Sequence, residues 1–163
     1  MVKSGIYALI LLLNIMFRGL NKISLDTKGR LSVPTKYREE LIEISNKKLI
    51  CTIDVGYCLL LYPLASWLKI EQKIMKLPSL DNTSRKLQRL LVGHATDIEM
   101  DTSGRVLIPK ELRQYSMIKK DGMLIGQGNR FEIWDYSRWT KLREKWIKSE
   151  KFSLPKEYER FSL

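Results

Sequence analysis

Histidine and cysteine are nearly missing from this chain: its 163 residues hold one histidine, His94, and two cysteines, Cys51 and Cys58. C-x6-C beside a single histidine matches no zinc spacing, and two cysteines make no disulfide framework. Both sit in apolar runs, "LICTI" and "YCLLLY", and read as inert core thiols of a reduced, cytoplasmic protein. His94, in "VGHATD", has no nucleophile or ligand type beside it and reads as structural or surface. A nucleophile elbow, a phosphate-binding glycine loop and paired metal ligands are also missing. No enzyme, metal, cofactor or small-molecule substrate is therefore expected. Acidic residues are scarce beside basic ones, 18 against 29, for a net charge of +11. That imbalance points to a polyanionic partner, nucleic acid or an anionic membrane surface. The apolar stretch Ile6–Leu13 in "MVKSGIYALILLLNI" falls far short of the ~20 residues of a membrane helix. No small-residue cleavage site follows it. "MFRG", opening at Met16, makes a sensible start of its own, so residues 1–15 read as a start-site artefact or dispensable extension. A membrane role resting on residues 1–15 is the rival reading.

With 44% hydrophobic and 29% charged residues the chain reads as globular. Its dominant feature is a repeat. "LDTKGRLSVP" (Leu25–Pro34) returns as "MDTSGRVLIP" (Met100–Pro109). Asp26, Thr27, Gly29, Arg30, Pro34 and Arg38 match Asp101, Thr102, Gly104, Arg105, Pro109 and Arg113. A second block follows in the same order: "GYCLLLYPLASW" (Gly56–Trp67) matches "GNRFEIWDYSRW" (Gly128–Trp139). Two ordered blocks at this long period indicate a tandem duplication of subdomains rather than a solenoid.

Each half reads as strand, turn, strand, helix, two strands, helix. "ISLD" ends a strand, "DTKG" turns with Gly29 at positive φ, and "RLSV" restarts with Leu31 and Val33 on one face. Pro34 suits a helix start, and Tyr37, Leu41 and Ile44 recur at helical spacing. "KLICTID" and "YCLLLYP" are short apolar strands around the Asp54–Tyr57 turn. A helix follows with Trp67, Ile70, Ile74 and Leu77 on one stripe. The second half repeats the plan, ending in a helix capped by Asp135 with Trp139, Leu142 and Trp146 aligned. Between the halves, "RKLQRLLVG" is a short helix ended by Gly93. The expected organisation is extension 1–15, first repeat 16–78, linker helix 79–95, second repeat 96–150 and tail 151–163. The class is α+β. Strands this short form no stable sheet within one half, so the halves are expected to interleave and close a small barrel.

"MFRG", "LDTKGRLSVPTKYRE", "MDTSGRVLIPKELR" and "RKLQRLLVGHATDIEMD" resemble the MraZ family of transcriptional regulators over roughly residues 16–150. The resemblance implies two pseudo-symmetric AbrB-like halves forming a swapped-hairpin β-barrel with flanking helices. It further implies a homo-oligomeric ring. The implied partner is double-stranded DNA carrying short promoter repeats upstream of the division and cell-wall gene cluster, which places the protein at the nucleoid. An antitoxin-like DNA-binding protein of the same fold is the alternative.

The D-x-x-x-R motif, Asp26/Arg30 and Asp101/Arg105, is where chemistry is expected. Each aspartate forms the turn and holds its arginine by charge. Each arginine projects from the polar strand face, able to fork onto guanine O6/N7 or phosphate. Lys28 at the first turn's tip is expected to meet phosphate, whereas the second copy carries Ser103 there. Arg18, Lys22, Lys36 and Arg38 extend a basic strip. Arg38 and Arg113, on the helices, are expected either on DNA or in contacts within or between subunits. The bland alternative is a turn-stabilising surface ion pair, which adds little stability.

Overall fold

The computed structural model describes residues 15–149. The proposed extension, apart from Ile15, and the tail lie outside the described residues. The elements are β1 (Phe17–Ser24), β2 (Arg30–Ser32), α1 (Thr35–Ser45), β3 (Lys48–Asp54), β4 (Cys58–Pro63) and α2 (Leu64–Met75). Then come α3 (Asn82–Leu87) running into a π-helical turn (Gln88–Val92), β5 (Thr96–Glu99), β6 (Arg105–Leu107), α4 (Lys110–Ser116), β7 (Asp121–Gly128), β8 (Phe131–Asp135) and α5 (Tyr136–Lys148). Pro34, Pro63 and Pro109 each stand immediately before a helix, where the missing N–H costs nothing. Asp135 caps α5 by accepting from the Arg138 amide.

Six strands pair antiparallel in the order β1-β7-β8-β4-β3-β5, and β2 pairs with β6 as a separate ribbon. The order is symmetric about the β4–β8 pair, where Leu60 faces Glu132. Each half sends its first strand across: β1 pairs with β7 of the second half, and β5 with β3 of the first. Each half holds only one hairpin of its own, β3–β4 in the first and β7–β8 in the second, and the exchange widens these into one sheet. The expected barrel closure does not occur among the described residues. Hydrogen bonding leaves β1 and β5 as the ends of the sheet, and the segment after β1 meets the ribbon through the Leu25–Leu31 bridge and the Asp26 amide on the Arg30 carbonyl. The reason is local: each ribbon strand is three residues long, and a proline without an N–H follows shortly after it, at Pro34 and Pro109.

The central core lies between the ribbon and one sheet face and draws on both halves, with Leu31, Val33, Val106 and Ile108 from the ribbon segments and Leu59, Leu61, Leu124 and Ile133 from the sheet. Phe17, Tyr37 and Phe131 close one end of it, with Phe17 and Phe131 centroids 4.3 Å apart. The other sheet face carries two smaller clusters. Ile50, Leu60 and Tyr62 pack with Trp67 of α2, while Cys58, Met123, Ile125 and Trp134 receive Trp139 and Leu142 of α5. Both faces being covered, β4 is buried along its whole length, as its unbroken apolar sequence requires. The stripe on α5 runs out to the surface: Trp146 packs edge-on against Trp139, centroids 6.1 Å apart, and is 44% exposed.

Candidate nucleic-acid interface

Both D-x-x-x-R turns are built alike. Asp26 Oδ1 accepts from the Lys28 and Arg30 amides at 2.9 Å, and Oδ2 accepts from Arg30 Nε at 2.7 Å. Asp101 repeats the set with Ser103, Arg105 and Arg105 Nε, all at 2.9 Å. Gly29 and Gly104 supply the left-handed backbone, φ 85° and 74°, that lets each turn close on the aspartate carbonyl. The Arg30 amide, opposed by partial burial and helped by the Arg30 side chain, holds the Asp26 carboxyl down at about 2. Asp101 is lowered too, chiefly by the Arg105 amide. Each carboxylate occupies Nε and so fixes the guanidinium's direction.

The ribbon aims the two arginines together. Arg30 lies opposite Leu107 and Ser32 opposite Arg105, so these four share one face. Leu31 and Val106 take the other face and are fully buried. Arg30 and Arg105 are therefore diagonal neighbours on the outer face, roughly 7–8 Å apart at the backbone. Both guanidiniums thus start from one outward face of a two-stranded ribbon.

Arg38 and Arg113 have a different position from the arginines on the ribbon. Arg38 Nε donates to its own half's Val33 carbonyl at 2.7 Å, and Arg113 Nε to Ile108 at 3.0 Å. Each guanidinium then lies across the other half's glycine, Arg38 on Gly104 and Arg113 on Gly29, filling the space a Cβ would take. The ribbon ends are tied the same way: Val33 N donates to the Gly104 carbonyl and Ile108 N to Gly29. Every turn is thus held by residues of the opposite half.

Lys28 is exposed at the first turn's tip, as Ser103 is at the second. Arg18 is exposed but paired with Gln127 at the start of β1, roughly 20 Å along the strand from Ser24; the strand pairing does not bring it to the ribbon. Lys22 and Lys36 lie over the rings of Tyr136 and Tyr37, at 4.4 and 4.7 Å. Leu107 also stands on the outer ribbon face, beside the two arginines, and was not among the expected site residues. Its signal was a large apolar residue at a position the strand alternation assigns to the solvent face, and Leu107 is 52% exposed.

Cys51 and Cys58 are buried, and burial pushes the Cys51 thiol up to about 12 and Cys58 higher as well. His94 is exposed, with Nδ1 2.9 Å from the Leu90 carbonyl. Among the described residues no cluster of three or more histidine, cysteine or acidic side chains could hold a metal. No helix among them is long and apolar enough to cross a membrane.

The family model described as "MraZ protein, putative antitoxin-like" matches twice, over residues 16–90 and 91–160. The chain is 49% identical over 135 residues to the transcriptional regulator MraZ of Thioalkalivibrio sulfidiphilus, covering 83% of this chain and 90% of that one. It is 49% identical over 152 residues to the transcriptional regulator MraZ of Legionella pneumophila strain Corby, covering 91% of this chain and all of the relative. The protein of the same name from Citrobacter koseri is 52% identical over 125 residues, covering 76% of this chain and 82% of that one.

Proposed function

The chain belongs to the MraZ family, and from that premise we propose that it is a transcriptional regulator that binds double-stranded DNA sequence-specifically through Arg30 and Arg105. The observation that carries the reading is the pair of aspartate-held guanidiniums on one outward ribbon face. The net charge of +11 and the regulator name borne by the relatives support it. In this reading Asp26 and Asp101 orient the arginines and stay off the DNA, since phosphate repels a carboxylate. Lys28 meets phosphate. Arg38 and Arg113 hold the turns, and Arg18 adds to the general basic field.

The DNA partner is a set of repeated boxes upstream of the division and cell-wall gene cluster, and the place of action is the nucleoid in the cytoplasm. A homo-oligomeric ring presents several ribbons to successive boxes, raising avidity by ~10²–10⁴ where the spacings agree. The division into AbrB-like swapped-hairpin halves, 16–78 and 96–150 joined by a linker helix at 79–95, belongs to the same proposal and draws support from the exchanged first strands.

The test is a gel shift on DNA from just upstream of the protein's own gene cluster, at several salt concentrations. Arg30→Ala and Arg105→Ala are each expected to weaken specific binding roughly tenfold or more while circular dichroism and the melting temperature hold. Wild-type binding is expected to fall steeply with salt, since phosphate contacts release counterions. Unchanged binding in both variants, or a binding loss that merely follows unfolding, refutes the assignment.

A further inference from the structure

The two ends of the ribbon share a backbone plan but not a surface. At the first turn's end an open groove of about 530 Å³ is lined by Lys110, Arg113, Gln114, Met117, Ile118 and Lys119, three cations and no carboxylate. It is continuous with the turn. Arg113 lines the groove and also lies on Gly29, and the Leu25 amide donates to the carbonyl of Lys120, next to Lys119. Lys28 stands exposed on that same turn.

The repeat supplies an internal comparison at the opposite end. There α1 has 11 residues against 7 for α4, about one turn more. Where the second half has Gln114, Tyr115 and Ile118, the first half has Glu39, Glu40 and Glu43. The turn there carries Ser103 in place of Lys28. Glu111, the one acid on α4, is exposed and outside the groove lining. A second groove, between β1 and the Ser32–Thr35 segment, holds two cations that are already engaged, Arg38 on the Val33 carbonyl and Lys22 over Tyr136.

We propose that the groove lysines Lys110 and Lys119, together with Lys28, hold the phosphate backbone of one DNA strand, and that the opposite end of the ribbon makes no matching grip. The reading head is thereby polar: it seats DNA in one direction although its backbone is nearly twofold. This rests on the DNA-binding role proposed above and adds where the phosphates sit. The chemistry is charge complementarity between three ammonium groups and a run of phosphates, with Met117 and Ile118 giving an apolar floor against sugar edges.

The test compares two double variants of equal charge loss in the full chain, Lys110→Gln/Lys119→Gln at the groove and Lys36→Gln/Lys47→Gln at the opposite end. The probe is the upstream duplex used above, and the reading is the slope of log affinity against log salt. The groove pair is expected to make the slope shallower by about 1–2, at ~0.9 per lost phosphate contact, and the opposite pair is expected to leave it unchanged. Equal slope losses would reduce the groove to part of a diffuse charge and overturn the proposal. So would a loss confined to the opposite pair, or none in either. In those outcomes the wild type still binds and the proposed function stands; a wild type that binds no duplex removes both. All four lysines lie at the surface or half-exposed, and a retained circular dichroism spectrum certifies the fold.

Discussion

Replacing Gly29 with alanine tests how the two halves hold each other. The new methyl meets two separate obstacles. At φ 85° an alanine occupies left-handed backbone, at roughly 1–2 kcal/mol. The turn has no freedom to relax, because the Gly29 carbonyl accepts from Ile108 N of the other half. The methyl also lands 2.5–2.8 Å from three guanidinium atoms of Arg113. That side chain must leave, giving up its bond to the Ile108 carbonyl, a loss of about 1 kcal/mol for a half-exposed group. The expected total is about 2–3 kcal/mol. Gly128→Ala is the natural comparison. Its φ is 74°, but among the described residues the only nearby atom is Met16 Sδ at 3.8 Å, so it carries the backbone penalty alone. Urea denaturation gives both values as shifts in midpoint at constant slope. The excess for Gly29 is expected to vanish in an Arg113→Ala background, the signature of a coupled pair. If Gly29→Ala is no more damaging than Gly128→Ala, or if its excess survives without Arg113, the cross-half clasp does not exist as described.

Two more outcomes follow from the groups with displaced titration. Asp26 is expected to titrate near 2 in a carboxyl-detected NMR experiment, with Asp101 also below the ordinary range. A depressed folded pKa means that the turn's contribution is complete above the unfolded value of about 3.9 and is lost as pH falls through about 2; a midpoint at the unfolded value would dissolve the hydrogen-bonded turn. Cys51, fully buried with its thiol near 12, is expected to resist a thiol reagent at pH 8 until denaturant is added, and rapid labelling of the native protein would contradict its packing.

The parts of the fold set by neighbours in sequence were legible. Tyr37, Leu41 and Ile44 bury one side of α1, Asp135 caps α5, and Gly29 and Gly104 take the positive φ that their turns need. These follow from periodicity and from the stereochemistry of single residues. Pairing over long distance was legible only as a need for two halves. That β1 crosses to β7 and β5 to β3 depends on edges meeting in space, and no spacing records it. Barrel closure was over-read, since three-residue strands ahead of prolines lend too few N–H groups to close a ring. At the candidate site, the aspartate-to-arginine bonds could be anticipated from a five-residue motif. The shared face of Arg30 and Arg105 needed the ribbon's register. Arg38 and Arg113 were marked by repeating in both halves, but their resting place on the opposite glycine is a tertiary fact.

The crossing of the first strands also bears on how such a chain can change. A cut between Leu77 and Asn82 would leave the two pieces clasped, each carrying a strand the other lacks. Because fusion supplies one of each piece to every head, neither piece has to be its own mirror partner. A separate copy would be barred from drifting, since every substitution would appear on both sides at once. Joined in one chain, the copies can differ, with a lysine at one tip and a serine at the other, a helix of 11 residues in one half and of 7 in the other, while the exchanged strands keep one shared sheet.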